Sequence, residues 1–437
     1  MAELGGKTIS VAGVAPAEPG KLYRWLALVF VSLAMFGNYY FYDALSPLAD
    51  VLQKQLHFTD SNIGLLNSFY SIAPIATVLI GGIIIDRIGA RRAILLFGII
   101  CFLGSVMTAA SSRFGVMAGG RFIFGMGAES LIVGATTVLA KWFRGKELSF
   151  AFGINLMIAR AGTWLAQNSP SWAKGAYVSW QAPWLIGVGF VSLCIVGPAL
   201  YWILEARAER KFELGQDAEV DKVVAGDIFK FGRSYWYLVA LCVLFYSAIF
   251  PFETFAVKFF MEAHGVSRGM GGFLLSVLTL CTMFGTPLCG LLADYIGQRA
   301  LLMTCGSLLL IPVFLMMGYT RVNLYLPLAM MGVAFALVPA VIWPAVAYIV
   351  EQKTLGTALG LMTMVQNIGM AGMNYALGWA NDRSGAGPGN PAGYHLMTQM
   401  LTVMGVLAFL FAVLLRRRET GPHAHGLETI TTRRASG

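Results

Sequence analysis

GIIIDRIGAR at Gly82–Arg91 and GLLADYIGQR at Gly290–Arg299 are one motif written twice, 208 positions apart, each lying between two long apolar runs. Both read G-xxx-D-xx-G-x-R. A second set of positions keeps nearly the same offset: Gly153, Arg160 and Gly162 recur as Gly360, Asn367 and Gly369, 207 positions on. Two echoes at one period mark an internal duplication, and the apolar flanks put both copies in a bilayer.

Composition agrees with that solvent. Hydrophobic residues make up 57% of the 437, charged residues only 12%, against about 25% charged in a soluble domain. Runs of about 20 apolar residues predict helices near 22–46, 62–85, 93–111, 114–140, 148–170 and 181–204, and again near 234–262, 270–293, 300–319, 322–350, 355–380 and 394–415. The expected fold is therefore an all-α membrane protein of twelve transmembrane helices in two pseudo-symmetric six-helix bundles, residues 22–204 and 234–416. Residues 205–233 form a polar linker, and residues 1–21 and 417–437 read as disordered ends.

Charge orients the chain. With both ends and the linker on one face, only Lys54, Arg113, Lys174, Arg268, Arg321 and Arg383 fall to the opposite face, and the great majority of the 31 Lys and Arg flank the first. The positive-inside rule makes that first face cytoplasmic, with both termini there and the chain in the cell's plasma (inner) membrane. The N-terminal stretch lacks the basic start and apolar centre of a cleaved signal, so the first helix directs insertion. A net charge of +9 spread over membrane-flanking loops needs no nucleic acid to explain it, and none is expected as a partner.

Enzyme chemistry finds no foothold. There is no phosphate loop, no HExxH and no GxSxG, and Gly125-Met-Gly127 lacks the strand a dinucleotide site requires. Cys101, Cys194, Cys242, Cys281, Cys289 and Cys305 fall inside predicted spans with no metal-ligand spacing. They read as small packing residues, and no metal or other cofactor is implied.

Function then rests on polar groups inside the membrane, which cost several kcal/mol each unless paired or hydrated. Helices 4 and 5 are antiparallel neighbours across a short loop, so Glu129 and Arg160 both sit roughly 18 to 21 Å above the cytoplasmic boundary at 1.5 Å per residue. At one depth they can hold each other, or open to hold the two ends of a zwitterion. Arg121, Gly125 and Glu129 recur every four residues and share a polar, inward face of helix 4. Gln366 and Asn367 stand where Arg160 stands in the first half, able to bond cargo or a neighbouring helix. Glu253 and Lys258 follow the kink-prone Pro251 toward the outer surface, Lys258 as a gate or a snorkelling rim lysine. Asp43, after Tyr39, Tyr40 and Tyr42, is a gate residue or a helix-end charge. Trp343-Pro344 and Gly125, Gly153, Gly360 and Gly369 suit close packing and bending.

The doubled loops, Gly120-Arg-Phe122 opening helix 4, and the six-plus-six spans resemble the major facilitator superfamily over nearly the whole chain. GRFIFGMGAES (Gly120–Ser130), WFRGKEL (Trp142–Leu148), MIARAG (Met157–Gly162), IFPF (Ile249–Phe252), LGTALG (Leu355–Gly360) and QNIG (Gln366–Gly369) resemble more narrowly the branch that contains a lysosomal dipeptide uniporter. That resemblance implies alternating access, with Glu129 and Arg160 gripping the amino and carboxyl ends of a peptide. Two departures stand out. The N-terminus carries no acidic dileucine signal and the chain no N-x-S/T sequon, and Glu253 has no counterpart in that branch.

The reading is a monomeric membrane transporter of dipeptides, by uniport. Its rival is a proton-coupled carrier of small carboxylates or amino acids, with Arg160 on the anion and Glu129 or Glu253 on the proton. Expected cargo contacts are Glu129, Arg160, Gln366, Asn367, Tyr39, Tyr42, Tyr246 and Trp343. Expected gating residues are Asp86, Arg87, Arg91, Asp294, Arg299, Asp43, Glu253, Lys258 and Arg121.

Overall fold

A computed structural model describes residues 20–143, 147–212 and 231–431. The first half carries six long helices: α1 (Lys21–Asp43), α2 (Asp60–Ile88), α3 (Ala90–Ala110), α4 (Phe114–Phe143), α5 (Leu148–Gln167) and α6 (Gln181–Glu209). The second carries α7 (Arg233–His264), α8 (Arg268–Ile296), α9 (Arg299–Tyr319), α10 (Tyr325–Ile349), α11 (Leu355–Ser384) and α12 (His395–Glu419). Among the described residues nine helices are long and apolar enough to cross a membrane, ten if α2 with its 53° bend counts as one span. The remaining two, α5 and α11, carry Arg160 and the amides Gln366 and Asn367. Pro74, inside α2, removes a backbone donor beside that bend.

Packing repeats with the sequence. In the first half α1 lies on α5, α2 on α4, α3 on α4 and α6; in the second α7 lies on α11, α8 on α10, α9 on α10 and α12. Adding six to each number maps one set onto the other. The seam obeys the same rule, since α2 meets α11 and α8 meets α5. The duplication read from the two loop motifs is thus a duplication of contacts.

The motif glycines have a conformational cause. Gly89 (φ 81°) and Gly297 (φ 76°) each turn the chain from one helix into the next within a residue or two, in the left-handed region where a side chain is strained. The motif arginines then anchor each loop inside its own half. Arg91 reaches Glu209 (2.8 Å) and Glu205 (3.6 Å) at the end of α6, while Arg299 bonds Asp294 (2.8 Å) and the carbonyl of Ile430 (2.8 Å).

That last contact corrects an expectation. The chain after α12 was expected to be disordered, yet residues 420–431 fold back onto the loop between α8 and α9. Leu427 is fully buried, its carbonyl accepts from Arg299 N (3.0 Å), and Glu428 accepts from Leu301 N (3.0 Å), capping α9. Glu419 fastens the start of the turn, accepting from His425 N and Ser234 Oγ. Composition alone misled, because one buried leucine and one cap suffice to dock a short polar segment. Residues 432–437, the N-terminal 1–19 and linker residues 213–230 lie outside the described residues. A second difference follows α1, which ends at Asp43 rather than 46 and continues as a turn at Ser46–Leu48 and a short helix at Ala49–Leu56.

Bonds between the halves gather at the end of the molecule opposite the motif loops. Lys258 is buried against Asp60 (2.6 Å), and Arg268 forks onto Asp50 (2.5 and 3.2 Å). Asp382, at the end of α11, accepts from the backbone amides of Asp60 and Ser61, both at 2.8 Å, at the start of α2. Three seam glycines allow backbone contact here. A Cβ on Gly64, Gly272 or Gly378 would stand 2.1, 2.1 or 2.3 Å from a carbonyl oxygen of the other half. This end is shut.

If the Lys258–Asp60 pair holds that closure, Lys258→Met will leave Asp60 buried without its cation, a loss of about 3–5 kcal/mol in the closed state. A reporter cysteine at Ala371, in a cysteine-free background, should then label faster from this side, and adding Asp60→Asn should reverse the gain. Unchanged labelling in the single variant would mean the seam is held without this pair.

Candidate functional site

Between the halves lies a cavity of about 610 Å³, well within the range of small-molecule sites. It is lined by α1, α2, α4 and α5 and by their counterparts α7, α8, α10 and α11, whereas α3, α6, α9 and α12 contribute nothing to it. Its open side faces the motif loops. Gly153 on α5 and Gly290 on α8 both line it, and a Cβ on either would meet no atom within 4 Å. Gly153 is therefore a rim position, not the packing position expected; Gly125 does pack, since a Cβ there would stand 2.6 Å from the Tyr70 carbonyl oxygen.

Glu129 and Arg160 both line this cavity, and no ion pair joins them. Glu129 accepts a hydrogen bond from the Tyr70 hydroxyl at 2.9 Å. Arg160 lies between two rings, its guanidinium carbon 5.7 Å from the centroid of Tyr39 and 5.7 Å from that of Phe335. Of the two arrangements open from the sequence, the structure shows the separated one. A carboxylate and a guanidinium thus face one water-accessible space from the same half of the protein, each with bonding capacity to spare. Asp43 also lines it, accepting from Thr163 Oγ1 at 2.6 Å.

The Major Facilitator Superfamily model matches residues 31–371 and again 252–434. The chain belongs to this superfamily. Among curated relatives, the lysosomal dipeptide transporter MFSD1 of Danio rerio is 31% identical over 82% of this chain and 80% of its own length, and that of Homo sapiens 30% identical over 85% of each. The solved structure of a bacterial homologue of the human lysosomal transporter Spinster, inward-facing and occupied, superposes with a TM-score of 0.71 at 19% identity, covering 91% of this chain and 98% of that one. At that identity the likeness concerns the fold. The protein is a multi-pass membrane transporter and not an enzyme; its cargo is a small molecule and its surroundings are lipid.

The other expected contact residues divide as follows. Tyr39, Tyr42, Tyr246, Trp343, Gln366 and Asn367 all line the transporter's cavity. Asn367 spends its amide N–H on the Thr363 carbonyl at 3.0 Å, leaving its oxygen for another donor. Of the expected gating residues only Asp43 reaches the cavity. Lys258 is neither exposed nor snorkelling: it is 3% exposed and ion-paired, because helix Ala49–Leu56 and the start of α2 roof over what the sequence made a rim. Glu253 is 6% exposed beneath that roof, its backbone carbonyl taking the Ser46 hydroxyl at 2.5 Å. Asp86, Arg87, Arg91, Asp294 and Arg299 stay with the loops.

Arg121 departs most from expectation. It does not share the inward face with Glu129 but turns into the core of the first half, 0% exposed. There it donates to the carbonyls of Phe41 (3.2 Å) and Tyr42 (3.4 Å) and to Asn67, with five aromatic rings around the guanidinium. The unwinding of α1 past Asp43 leaves those carbonyls without helical partners, and the arginine supplies the missing donors. Asn67 continues the chain of bonds to Thr254 and Asn374 across the seam, each at 2.8 Å.

Sequence reasoning missed Tyr70, Asn38, Phe250 and Phe335. Asn38 carried a signal, being an amide inside an apolar run. Its oxygen has no protein partner although the residue lines the cavity. The three aromatics carried none, since rings are as common against lipid as against a cavity. Among the described residues no group of three His, Cys, Asp or Glu could hold a metal.

The Tyr70 hydroxyl fixes where the Glu129 carboxylate points. Tyr70→Phe should raise the KM for cargo uptake into proteoliposomes about tenfold, the worth of one hydrogen bond to a charged group, about 1.5 kcal/mol. An unaltered KM would show that Glu129 is oriented by its helix alone.

Proposed function

We propose that this transporter carries dipeptides across the plasma membrane by alternating access, as a uniporter. The observation that carries the reading is the unpaired placement of Glu129 and Arg160 on one cavity. A dipeptide presents an ammonium and a carboxylate at its two ends, and the cavity offers a carboxylate and a guanidinium that do not neutralise each other. The relatives from Danio rerio and Homo sapiens, both named lysosomal dipeptide transporters, support the same class of cargo. The arrangement with the motif end open and the opposite end locked corresponds to the state facing the cytoplasm, given the charge distribution of the loops. Both termini then lie in the cytoplasm, and a monomer contains a complete site.

In this reading the loop motifs govern the balance of states and not the choice of cargo. Asp86 and Asp294 sit at the ends that must approach when the cytoplasmic side closes, so they act on the equilibrium between the two states. Lys258 with Asp60 and Arg268 with Asp50 do the same at the outer end. Glu253 favours the rival, proton-coupled reading, as a carboxylate deep in the closed end; a proton gradient that drives uphill uptake would establish that alternative over uniport.

Arg160→Ala is expected to abolish dipeptide transport in folded, membrane-inserted protein, with Arg160→Lys restoring only part because lysine lacks the planar fork. Glu129→Gln should weaken binding of dipeptides with a free amino end about tenfold or more, the cost of a charge-assisted bond of about 1.5 to 3 kcal/mol, and should spare N-acetylated ones. Uptake into proteoliposomes reads the first, and thermal-shift titration of the purified variants the second. Equal losses for free and acetylated peptides would remove Glu129 from the amino-end role.

A further inference from the structure

The two halves do not furnish the cavity alike. Its charged lining, Asp43, Glu129 and Arg160, comes entirely from the first half, and the second half contributes no charge at all. What the second half contributes is a connected group of rings. Tyr246 and Phe250 on α7 lie parallel, centroids 5.7 Å apart with 10° between planes. Phe335 on α10 stands edge-on to Phe250 (5.5 Å, 89°) and to Tyr246 (6.1 Å, 83°). Trp343, a little over two turns further along α10, stands edge-on to Tyr246 (6.2 Å, 75°) and spends its only donor, Nε1–H, on the Tyr246 hydroxyl at 2.8 Å.

The indole nitrogen is therefore satisfied inside the cluster, and what the half-buried Trp343 turns to the cavity is ring surface. Edge-to-face packing among four rings holds that surface in place before any cargo arrives, so little ordering remains to be done on binding. The shelf also adjoins one particular anchor. Phe335 is the ring against which Arg160 rests, 5.7 Å from its guanidinium carbon. In a dipeptide the carboxylate and the second side chain leave the same Cα. A carboxylate on Arg160 thus brings the second side chain beside Phe335, while the amino end, with the first side chain, extends toward Glu129 and Tyr70 in the other half.

Resting on the dipeptide reading above, we propose that the shelf of Tyr246, Phe250, Phe335 and Trp343 is a subsite for the side chain of the C-terminal residue of the cargo, selecting large apolar and aromatic side chains at that position. The first half grips the termini common to all dipeptides, and the second half ranks them. Ring surface is the right material for such ranking, because apolar contact scales with side-chain area and is indifferent to the peptide backbone.

The test is competition by Ala-Phe, Phe-Ala and Ala-Ala against a labelled dipeptide, in wild-type protein and in Trp343→Ala, Trp343→Phe and Phe250→Ala. Wild type should prefer Ala-Phe to Ala-Ala by more than it prefers Phe-Ala to Ala-Ala. In Trp343→Ala the Ala-Phe to Ala-Ala preference should fall about tenfold, a loss expected for one ring's share of apolar contact, and Trp343→Phe should recover most of it. Phe250→Ala should shift the same ratio in the same direction and serves where Trp343→Ala fails to fold. The inference is overturned if these variants leave the ratio unchanged, or shift the Phe-Ala ratio as much as the Ala-Phe one. Wild type that binds none of the three peptides would overturn the dipeptide reading itself, an outcome distinct from peptides that bind without this ranking.

Discussion

A charge inside a bilayer must be paired, solvated or met by a ligand, and the placement of the basic side chains here follows from that one constraint. Lys258 and Arg268 are paired with Asp60 and Asp50 and fasten the end opposite the motif loops. Arg121 has no carboxylate in contact and is met instead by carbonyl oxygens and ring faces, which makes it part of the scaffold that ends α1. Arg160 alone combines depth, access to the cavity and spare donors. Depth by itself does not distinguish these roles. What distinguishes them is whether the protein supplies the oxygen atoms that each cation requires.

The duplicated packing explains how such a site can alternate. Because α2 meets α11 and α5 meets α8, the seam has two equivalent strips on either side of the cavity. Closing the motif end requires those strips to part at the end where glycine-mediated backbone contacts and ion pairs now hold them. Bonds to buried charges are discrete, so the two arrangements are separate states and not points on a continuum. The loop arginines remain within their own halves in the state seen, and the docked segment 420–431 stiffens the second loop in a way that the first loop, tied to α6, does not need.

Fold and cavity were legible to different degrees. The doubled G-xxx-D-xx-G-x-R could be read directly, since a glycine with positive φ between two membrane helices leaves a strong mark on the sequence, and the helices followed from apolar run length. Glu129 and Arg160 were legible because charge at that depth is costly, whereas Asp43, which also lines the cavity, read as a gate residue or a helix-end charge. Direction around the helix was not legible. Arg121 and Glu129 are eight residues apart, which suggests one face, yet the end of α1 draws Arg121 inward, a tertiary demand with no local signature. Lys258 failed for a similar reason, because the roof formed by residues 44–60 reads as an ordinary loop. Of the aromatic shelf, Tyr246 and Trp343 were singled out from the sequence but Phe250 and Phe335 were not, since the sequence does not distinguish a ring that faces lipid from one that faces the cavity.

The asymmetry between the halves bears on the transport cycle. The echo at offset 207 sets Asn367 opposite Arg160, so the second half has the same frame without the charge. Under the dipeptide reading, a loaded carrier closes around Glu129 and Arg160 with both satisfied by the cargo's ends. An empty one must close around them bare, and two unpaired ions in a dry cavity would cost several kcal/mol each. Uniport nonetheless requires the empty return. With both groups on the same half, rocking of one half against the other does not change the distance between their helices, so the empty carrier meets the same pair of groups in either state. Had the duplication left one charge on each half, their pairing would depend on the conformational state, and the empty protein would be held in whichever state brought them together. Placing both on one half removes that bias and leaves the neutral half free to vary its aromatic surface without disturbing the cycle.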